Sequence, residues 1–510
     1  MRNEWFRNNR WTLACLLWMC GLTVLFAFFV TDPDDRLGLL SYNILFTLLF
    51  SGFCLGMSGW VKKGVLILFA LLALIPSLIE TGWFIMDQSL LIRTQWWVVF
   101  DTNPAEASGL LSMVKGWQWG LLALYAAISL GLLIMALREN HKLPPLVSLG
   151  AACLAASLIL IPGVRYNVPC VNFYNSYRGY RMDLKQAQNF MNTRQDLTGQ
   201  VNNLFPDSTA AIVVMIGESL SRRHCSLYGY CRPTTPRLDQ RHDLTVYQHV
   251  RSSDYMTQPV MQTILSFADS SHPEARWNSP TLPEVLNAAG WDTYWFDPYE
   301  GRNNTSNALP TGFQSIAKLC HVYHLGDENE QYDEAHWAHL ESALSDSTSK
   351  RKAVFLHLIG NHFPYDRRYP SSFAWFDDPE VCSPFADRLS ASQVKVINDY
   401  DNAVRYNDEV VDSVVNRLSR LPYACALLYF PDHGEEIFDE DFYAGRSFNH
   451  VTPTLYEIPC VLWQNDTFTA RHHLRIDTEK SYCTDRMIHS LLDLFAVDYA
   501  LKDTTYSLFR

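Results

Sequence analysis

Apolar residues crowd into five nearly uninterrupted runs in the first third of the chain, at about 11–31, 38–60, 64–86, 117–137 and 145–164. Each is close to the roughly 20 residues a helix needs to cross the hydrocarbon core of a bilayer. The pattern predicts a transmembrane N-terminal domain of five helices over residues 1–165. After residue 205 the pattern changes. Short β-rich runs, AIVVMIG (211–217), TVYQHV (245–250), DTYWFDP (292–298), AVFLHLIG (353–360), ALLYFP (426–431) and IPCVLW (458–463), alternate with helical stretches such as 281–290 and 392–418. That alternation predicts an α/β domain with a largely parallel sheet over residues 206–510.

Residues 166–205 join the two parts. Phe173, Tyr174, Tyr177 and Tyr180 are interspersed with Arg165, Arg178 and Arg181, a mix suited to a membrane surface; a plain tether is the alternative. The first apolar run follows Arg2, Arg7 and Arg10 as a signal peptide would, but it is long and aromatic and no small-residue cleavage site follows. It reads as an uncleaved anchor.

The overall charge of −12 comes from 41 basic and 53 acidic side chains and argues against a nucleic-acid binder, which usually carries a basic face. The charge is uneven: residues 1–165 carry 11 basic and 9 acidic residues, residues 166–510 carry 30 and 44. Positive residues also orient the spans. Arg2, Arg7 and Arg10, then Lys62 and Lys63, then Arg138 and Lys142 fall on one side; the acidic loop of Asp32, Asp34 and Asp35 falls on the other. The positive side is cytoplasmic. An odd number of spans then exports residues 166–510, as in a bacterial inner-membrane protein with a periplasmic catalytic domain.

The outside segment 87–116 contains Trp96 and Trp97, suited to interface anchoring, with Asp101 and Glu106 near the headgroups. A carboxylate there can meet a cationic ammonium, or can simply be a solvated loop residue. Glu80 lies inside the third run near its outer end, where either a functional role or snorkelling accounts for it.

Ligands of parallel α/β sheets bind at the carboxyl ends of the strands. AIVVMIG runs into Glu218 and Ser219, ALLYFP ends in Asp432, His433 and Gly434, and AVFLHLIG ends in Gly360, Asn361 and His362. Any one of these is as readily a turn or a helix cap. As a set, Glu, Asp and His at neighbouring strand ends suit Zn²⁺, with Mn²⁺ the other cation such a donor set takes.

The stretch GESLSRRHCSLYGYCRPTTPRLD (217–239) resembles the signature of membrane-bound phosphoethanolamine transferases, relatives of the alkaline phosphatases and sulfatases. FLHLIGNHFPYDRRYP (355–370), YDNAVRYNDEVV (400–411) and LLYFPDHGEEIFDE (427–440) resemble three further blocks of that family. The resemblance covers nearly the whole chain and is strongest toward members that decorate a heptose of the lipopolysaccharide core. It implies zinc held by Glu218, Asp432 and His433, and Thr257 as both nucleophile and metal neighbour. Bottom-up, Thr257 competes with Ser252, Ser253 and Thr263, since most such hydroxyls cap helices. Its place at the start of an expected helix favours phosphate binding. His362 and His450 match additional histidines near the phosphoryl group; a structural histidine is the alternative for each. Glu106 matches a donor-headgroup position, although Val98 stands where relatives often carry an asparagine. The 400–411 block reads as helix packing and capping.

The implied reaction takes phosphoethanolamine from phosphatidylethanolamine, through a phosphothreonine, to a lipopolysaccharide sugar or other glycan, with release of diacylglycerol. A phosphoglycerol transferase of the same architecture and a non-catalytic membrane sensor are the rival readings. A sulfatase is disfavoured, because no Cys or Ser in a C/S-x-P-S-R context surrounds Thr257. Eight of the twelve cysteines lie on the exported side, where disulfides persist. Cys225 and Cys231, which bracket the SLYGY turn, are the first candidate pair.

Overall fold

A computed structural model describes residues 8–26, 59–87, 116–139, 196–297, 321–324, 332–446 and 450–509, with isolated positions elsewhere. Its contacts divide it into a unit that runs to Asp183 and a second made of Leu184–Arg446 and His450–Arg510.

In the first unit, three of the expected apolar runs are helical: α1 (Arg10–Phe26), α2 (Gly59–Asp87) and α3 (Gly116–Ala136). By length and composition, α3 alone among the described residues qualifies as a membrane span. The runs at 38–60 and 145–164 lie largely outside the described residues, as do Trp96, Trp97, Val98, Asp101 and Glu106. The first turn of a helix has backbone N–H groups without intrahelical partners. Glu139 supplies acceptors for α1, taking hydrogen bonds from Trp11 N at 3.0 Å and Thr12 N at 2.8 Å.

The second unit is built on seven strands: β1 (Ala210–Gly217), β2 (Leu244–Tyr247), β3 (Asp292–Asp297), β4 (His321–His324), β5 (Arg351–His357), β6 (Ala424–Pro431) and β7 (Cys460–Gln464). Their order across the sheet is β2-β7-β6-β1-β5-β3-β4. Only β7 runs against its neighbours, so the sheet is largely parallel as expected. Every residue of β1 and β6 is buried, as befits central strands covered on both faces. Ile212, Val214 and Ile216 enter one core; Ala211, Val213 and Met215 enter the other. Helices α4 (Thr257–Ile264) and α5 (Leu282–Ala288) pack into the first core, and α6 (Ala391–Leu418) covers the second. Ser390 and Gln393 form a capping box at its start.

Two expectations are corrected. The run 245–250 is not one strand. Its pairing with β7 ends at Tyr247; Gln248 N then bonds Thr478 O, and Val250–Arg251 pairs with Tyr482–Cys483 instead. Cys225 does not pair with Cys231. Cys231 is bonded to Cys382, while Cys225 is buried with Sγ 3.6 Å from Ser221 O. The short helical turns at 222–228 send Cys225 into the core and leave Cys231 beyond them.

Candidate metal centre

Register builds the site. Gly217 of β1 pairs with Pro431 of β6, so the next residues, Glu218 and Asp432, leave the sheet side by side. Asp432 N donates to Gly217 O at 3.0 Å and Asn361 N donates to Glu218 O at 2.9 Å, which brings the end of β5 to the same edge. Ser219, with φ of 55°, adopts the left-handed conformation that a non-glycine residue takes at a cost, turning the chain immediately after Glu218. The glycine in Asp-His-Gly is dictated by sterics, since a Cβ on Gly434 would collide with Thr454 O.

Glu218, Asp432 and His433 are buried, and one ligand atom from each lies within 4.8 Å of the others. Thr257 is the first residue of α4. Its hydroxyl lies 3.1 Å from Glu218 Oε2, 3.3 Å from Glu218 Oε1 and 3.3 Å from His433 Nε2. His433 Nδ1 is 2.7 Å from Gly434 O, a contact that needs the proton on Nδ1 and leaves Nε2 with a lone pair facing the cluster. Asp432 Oδ1 accepts from Ser219 N at 3.2 Å and His433 N at 2.8 Å, whereas Oδ2 is buried without a hydrogen-bond donor. A buried carboxylate oxygen in that position is ready to ligate a cation. Two carboxylates, one imidazole nitrogen and a hydroxyl fit zinc.

The two carboxylates cannot easily be ionised together without such a cation. Burial opposes ionisation of Glu218, but the contact with His433 and the permanent charge of the Arg446 guanidinium outweigh it and hold its carboxyl well below the usual range. Burial and the charge of Glu218 push Asp432 well up. Like charges at one site split in this way.

The other expected residues are placed differently. Burial lowers His362 to about 3 against the raising effect of Glu218, with Arg446 and Arg368 adding to the fall. His362 is therefore a neutral imidazole near the cluster, with Nδ1 2.9 Å from Phe363 O. His450 faces other partners. Its Nδ1 is 2.5 Å from Asp441 Oδ2, and its ring stacks on Tyr443 at 4.4 Å.

Three further groups carry weight here that the strand-end pattern does not reveal. Arg446 NH1 lies 2.5 Å from His433 Nε2, and Arg446 Nε lies 3.3 Å from Glu435 Oε2. Asp333 accepts from Ile359 N at 2.7 Å and Gly360 N at 3.1 Å, fixing the loop that carries His362. His224 is buried between Asp401 and Asp439. The 400–411 block packs and caps as expected: Tyr400 OH donates to Ser219 O at 2.8 Å, and Asp408 accepts from Arg237 N and Leu238 N at 2.9 and 3.0 Å.

The sulfatase family profile matches residues 210–497, the whole of this sheet and site. Phosphoethanolamine transferase EptC of Escherichia coli (strain K12) is 30% identical over 448 residues, covering 80% of this chain and 76% of that protein. The chain belongs to the phosphoethanolamine transferases of the sulfatase family. Among solved structures, the C-terminal periplasmic domain of Escherichia coli EptC in complex with Zn is 29% identical, with a TM-score of 0.58, covering 62% of this chain and 90% of that one. The integral membrane lipooligosaccharide phosphoethanolamine transferase A of Neisseria meningitidis shares the fold over 96% of this chain and 98% of its own, with a TM-score of 0.69 at 18% identity. Membership makes this chain a transferase.

Proposed function

We propose that this transferase moves phosphoethanolamine from phosphatidylethanolamine to a lipopolysaccharide sugar, a core heptose or lipid A, through a covalent phosphothreonine at residue 257. It does so as a bacterial inner-membrane protein of five spans, with residues 206–510 in the periplasm. The observation that carries this reading is the Thr257 hydroxyl at a helix N-terminus, within 3.1–3.3 Å of Glu218 and His433. A hydroxyl is a weak nucleophile unless a base or cation activates it. Glu218, Asp432, His433 and Thr257 would hold Zn²⁺, which when bound acidifies a hydroxyl and neutralises phosphoryl oxygens.

In the first step Thr257 Oγ1 bonds to phosphorus and the glycerol oxygen–phosphorus bond breaks. The threonine proton ends on diacylglycerol. In the second step a sugar hydroxyl bonds to phosphorus, the Thr257 oxygen–phosphorus bond breaks, and the proton returns to Thr257. His362, close to Glu218, is assigned to proton transfer or to contact with the phosphate. His450, oriented through Nδ1 by Asp441, leaves Nε2 for the acceptor side. Glu106 is assigned to the ethanolamine ammonium. Backbone N–H groups at the start of α4 add donors for the phosphate.

The test is mass spectrometry after incubation with phosphatidylethanolamine and no acceptor. One phosphoethanolamine should be found on the peptide containing Thr257. Diacylglycerol release with the adduct on Ser252, Ser253 or Thr263 would move the nucleophile, and release with no adduct on rapid quenching would replace the covalent route by direct transfer.

A further inference from the structure

Glu218, Asp432 and His433 are the donors of the proposed metal site and Thr257 is its nucleophile, which leaves unassigned a partly buried cation in the same cluster. The Arg446 side chain is only 17% exposed and its guanidinium makes three charged or polar approaches. NH1 is 2.5 Å from His433 Nε2, Nε is 3.3 Å from Glu435 Oε2, and NH2 is 3.9 Å from Glu218 Oε1. Glu435 is itself buried and fixed, because Tyr365 OH donates to its Oε1 at 2.8 Å. The Glu435 contact therefore anchors the guanidinium at its root and leaves the NH1–NH2 fork aimed into the cluster.

The fork and the nucleophile converge on one atom. Thr257 Oγ1 lies 3.3 Å from the same His433 Nε2 that NH1 approaches. A phosphoryl group bonded to Thr257 spans that gap. Of five guanidinium N–H donors, one bonds His433 while Nε forms an ion pair with Glu435 without hydrogen-bond geometry, so the others remain for an anion. His433 Nε2 has a single lone pair, and a cation held there releases NH1 as well. A planar guanidinium suits two oxygens of a tetrahedral anion better than an ammonium does.

We propose that Arg446, anchored by Glu435, is a catalytic residue that binds a non-bridging oxygen of the transferred phosphoryl group. The assignment rests on the reading of Thr257 as nucleophile. It differs from a purely structural role, in which Arg446 only balances the charge of Glu435 and Glu218.

The experiment uses the full-length, zinc-loaded protein and its Arg446→Ala and Arg446→Lys variants. Zinc content by atomic emission, affinity for inorganic phosphate by calorimetry, and kcat and KM for lipid donor are read separately. Arg446→Ala should keep its zinc, bind inorganic phosphate at least tenfold more weakly and lose roughly 100-fold in kcat, as removal of one charge-stabilising donor typically does. Arg446→Lys should fall between the two, and added guanidinium should restore part of the Arg446→Ala activity. Unchanged phosphate affinity and kcat in Arg446→Ala overturn the proposal, as does loss of zinc in both variants. If Arg446→Ala does not fold, Arg446→Lys with wild-type kcat and phosphate affinity overturns it equally. A wild-type protein that binds phosphate through Arg446 yet never forms the Thr257 adduct would refute the covalent route and leave an anion site standing.

Discussion

His224 offers the most quantitative test of how the site is held. Its ring is fully buried, with Nδ1 2.7 Å from Asp401 Oδ1 and Nε2 3.3 Å from Asp439 Oδ2. Asp401 comes from α6; Asp439 follows the Asp-His-Gly segment. The imidazole thus ties the loop after the Asp-His-Gly segment to the helix that covers the sheet. Burial opposes the charged ring, but the charges of Asp439 and Asp401 and their hydrogen bonds prevail and raise its pKa to about 10 from 6.5. Arg232 NH1 at 2.9 Å and Tyr230 OH at 3.1 Å share Asp401 Oδ2 and keep the carboxylate satisfied.

A folded-state pKa above the unfolded value means that the native state binds the extra proton. The stabilisation is complete below about pH 6.5 and is lost as pH rises through about 10. At about 1.4 kcal/mol per pKa unit, the full contribution is on the order of 4–5 kcal/mol, and between these limits it falls by about 1.4 kcal/mol per pH unit. His224→Gln keeps a polar side chain but cannot titrate. Urea unfolding of the full chain in detergent, followed by tryptophan fluorescence at pH 7, 8 and 9, should show wild type well ahead of the variant at pH 7. The lead should shrink by more than 1 kcal/mol per unit. A gap that stays constant across this range would mean that the native imidazole is neutral, and the argument would fail.

Thr257→Ala should abolish transfer while leaving zinc content and melting temperature near wild type, and Thr257→Ser should keep measurable activity because the attacking oxygen survives; equal activity in all three proteins would exclude residue 257 as nucleophile. Asp333→Asn turns one acceptor into a donor facing a backbone N–H, and an unpaired buried amide costs about 1–3 kcal/mol. The expected result is a melting temperature lower by several degrees and a kcat lower by about tenfold with zinc retained; an unchanged kcat would detach Asp333 from the positioning of His362.

What the sequence discloses about this site follows from what strand ends disclose. Glu218, Asp432 and His362 each end an apolar run, so their candidacy was visible one segment at a time. That Glu218 and Asp432 adjoin depends on β1 and β6 being parallel neighbours in one register, which no local pattern states. Thr257 was separable from Ser252, Ser253 and Thr263 only by resemblance; the structure separates them by contact, since Ser253 bonds Thr263 while Thr257 faces Glu218. Arg446 and Asp333 had no signal. One lies in a polar stretch 14 residues beyond Asp432, the other in an acidic stretch before a helix, and each acquires meaning only from the buried groups packed on it. The disulfide was hidden for the same reason, because Cys231 and Cys382 are separated by 151 residues.

Charge balance at the site bears on which lipid is the donor. Glu218, Asp432 and Glu435 supply three buried carboxylates against the one guanidinium of Arg446. One divalent cation brings these fixed charges to neutrality, and burying an uncompensated charge beyond that is expensive. Phosphatidylethanolamine has a zwitterionic headgroup of zero net charge, whereas phosphatidylglycerol adds a net negative charge. A neutral site therefore favours the zwitterion, provided that its ammonium finds an anion, the role proposed for Glu106. In matched detergent micelles, diacylglycerol release should be faster from phosphatidylethanolamine by at least tenfold in kcat/KM. Glu106→Ala should narrow that preference and leave hydrolysis of a small soluble phosphodiester nearly unchanged. Equal release from both lipids in the wild type would point to the phosphoglycerol reading, and equal losses on lipid and soluble substrates in the variant would make Glu106 structural.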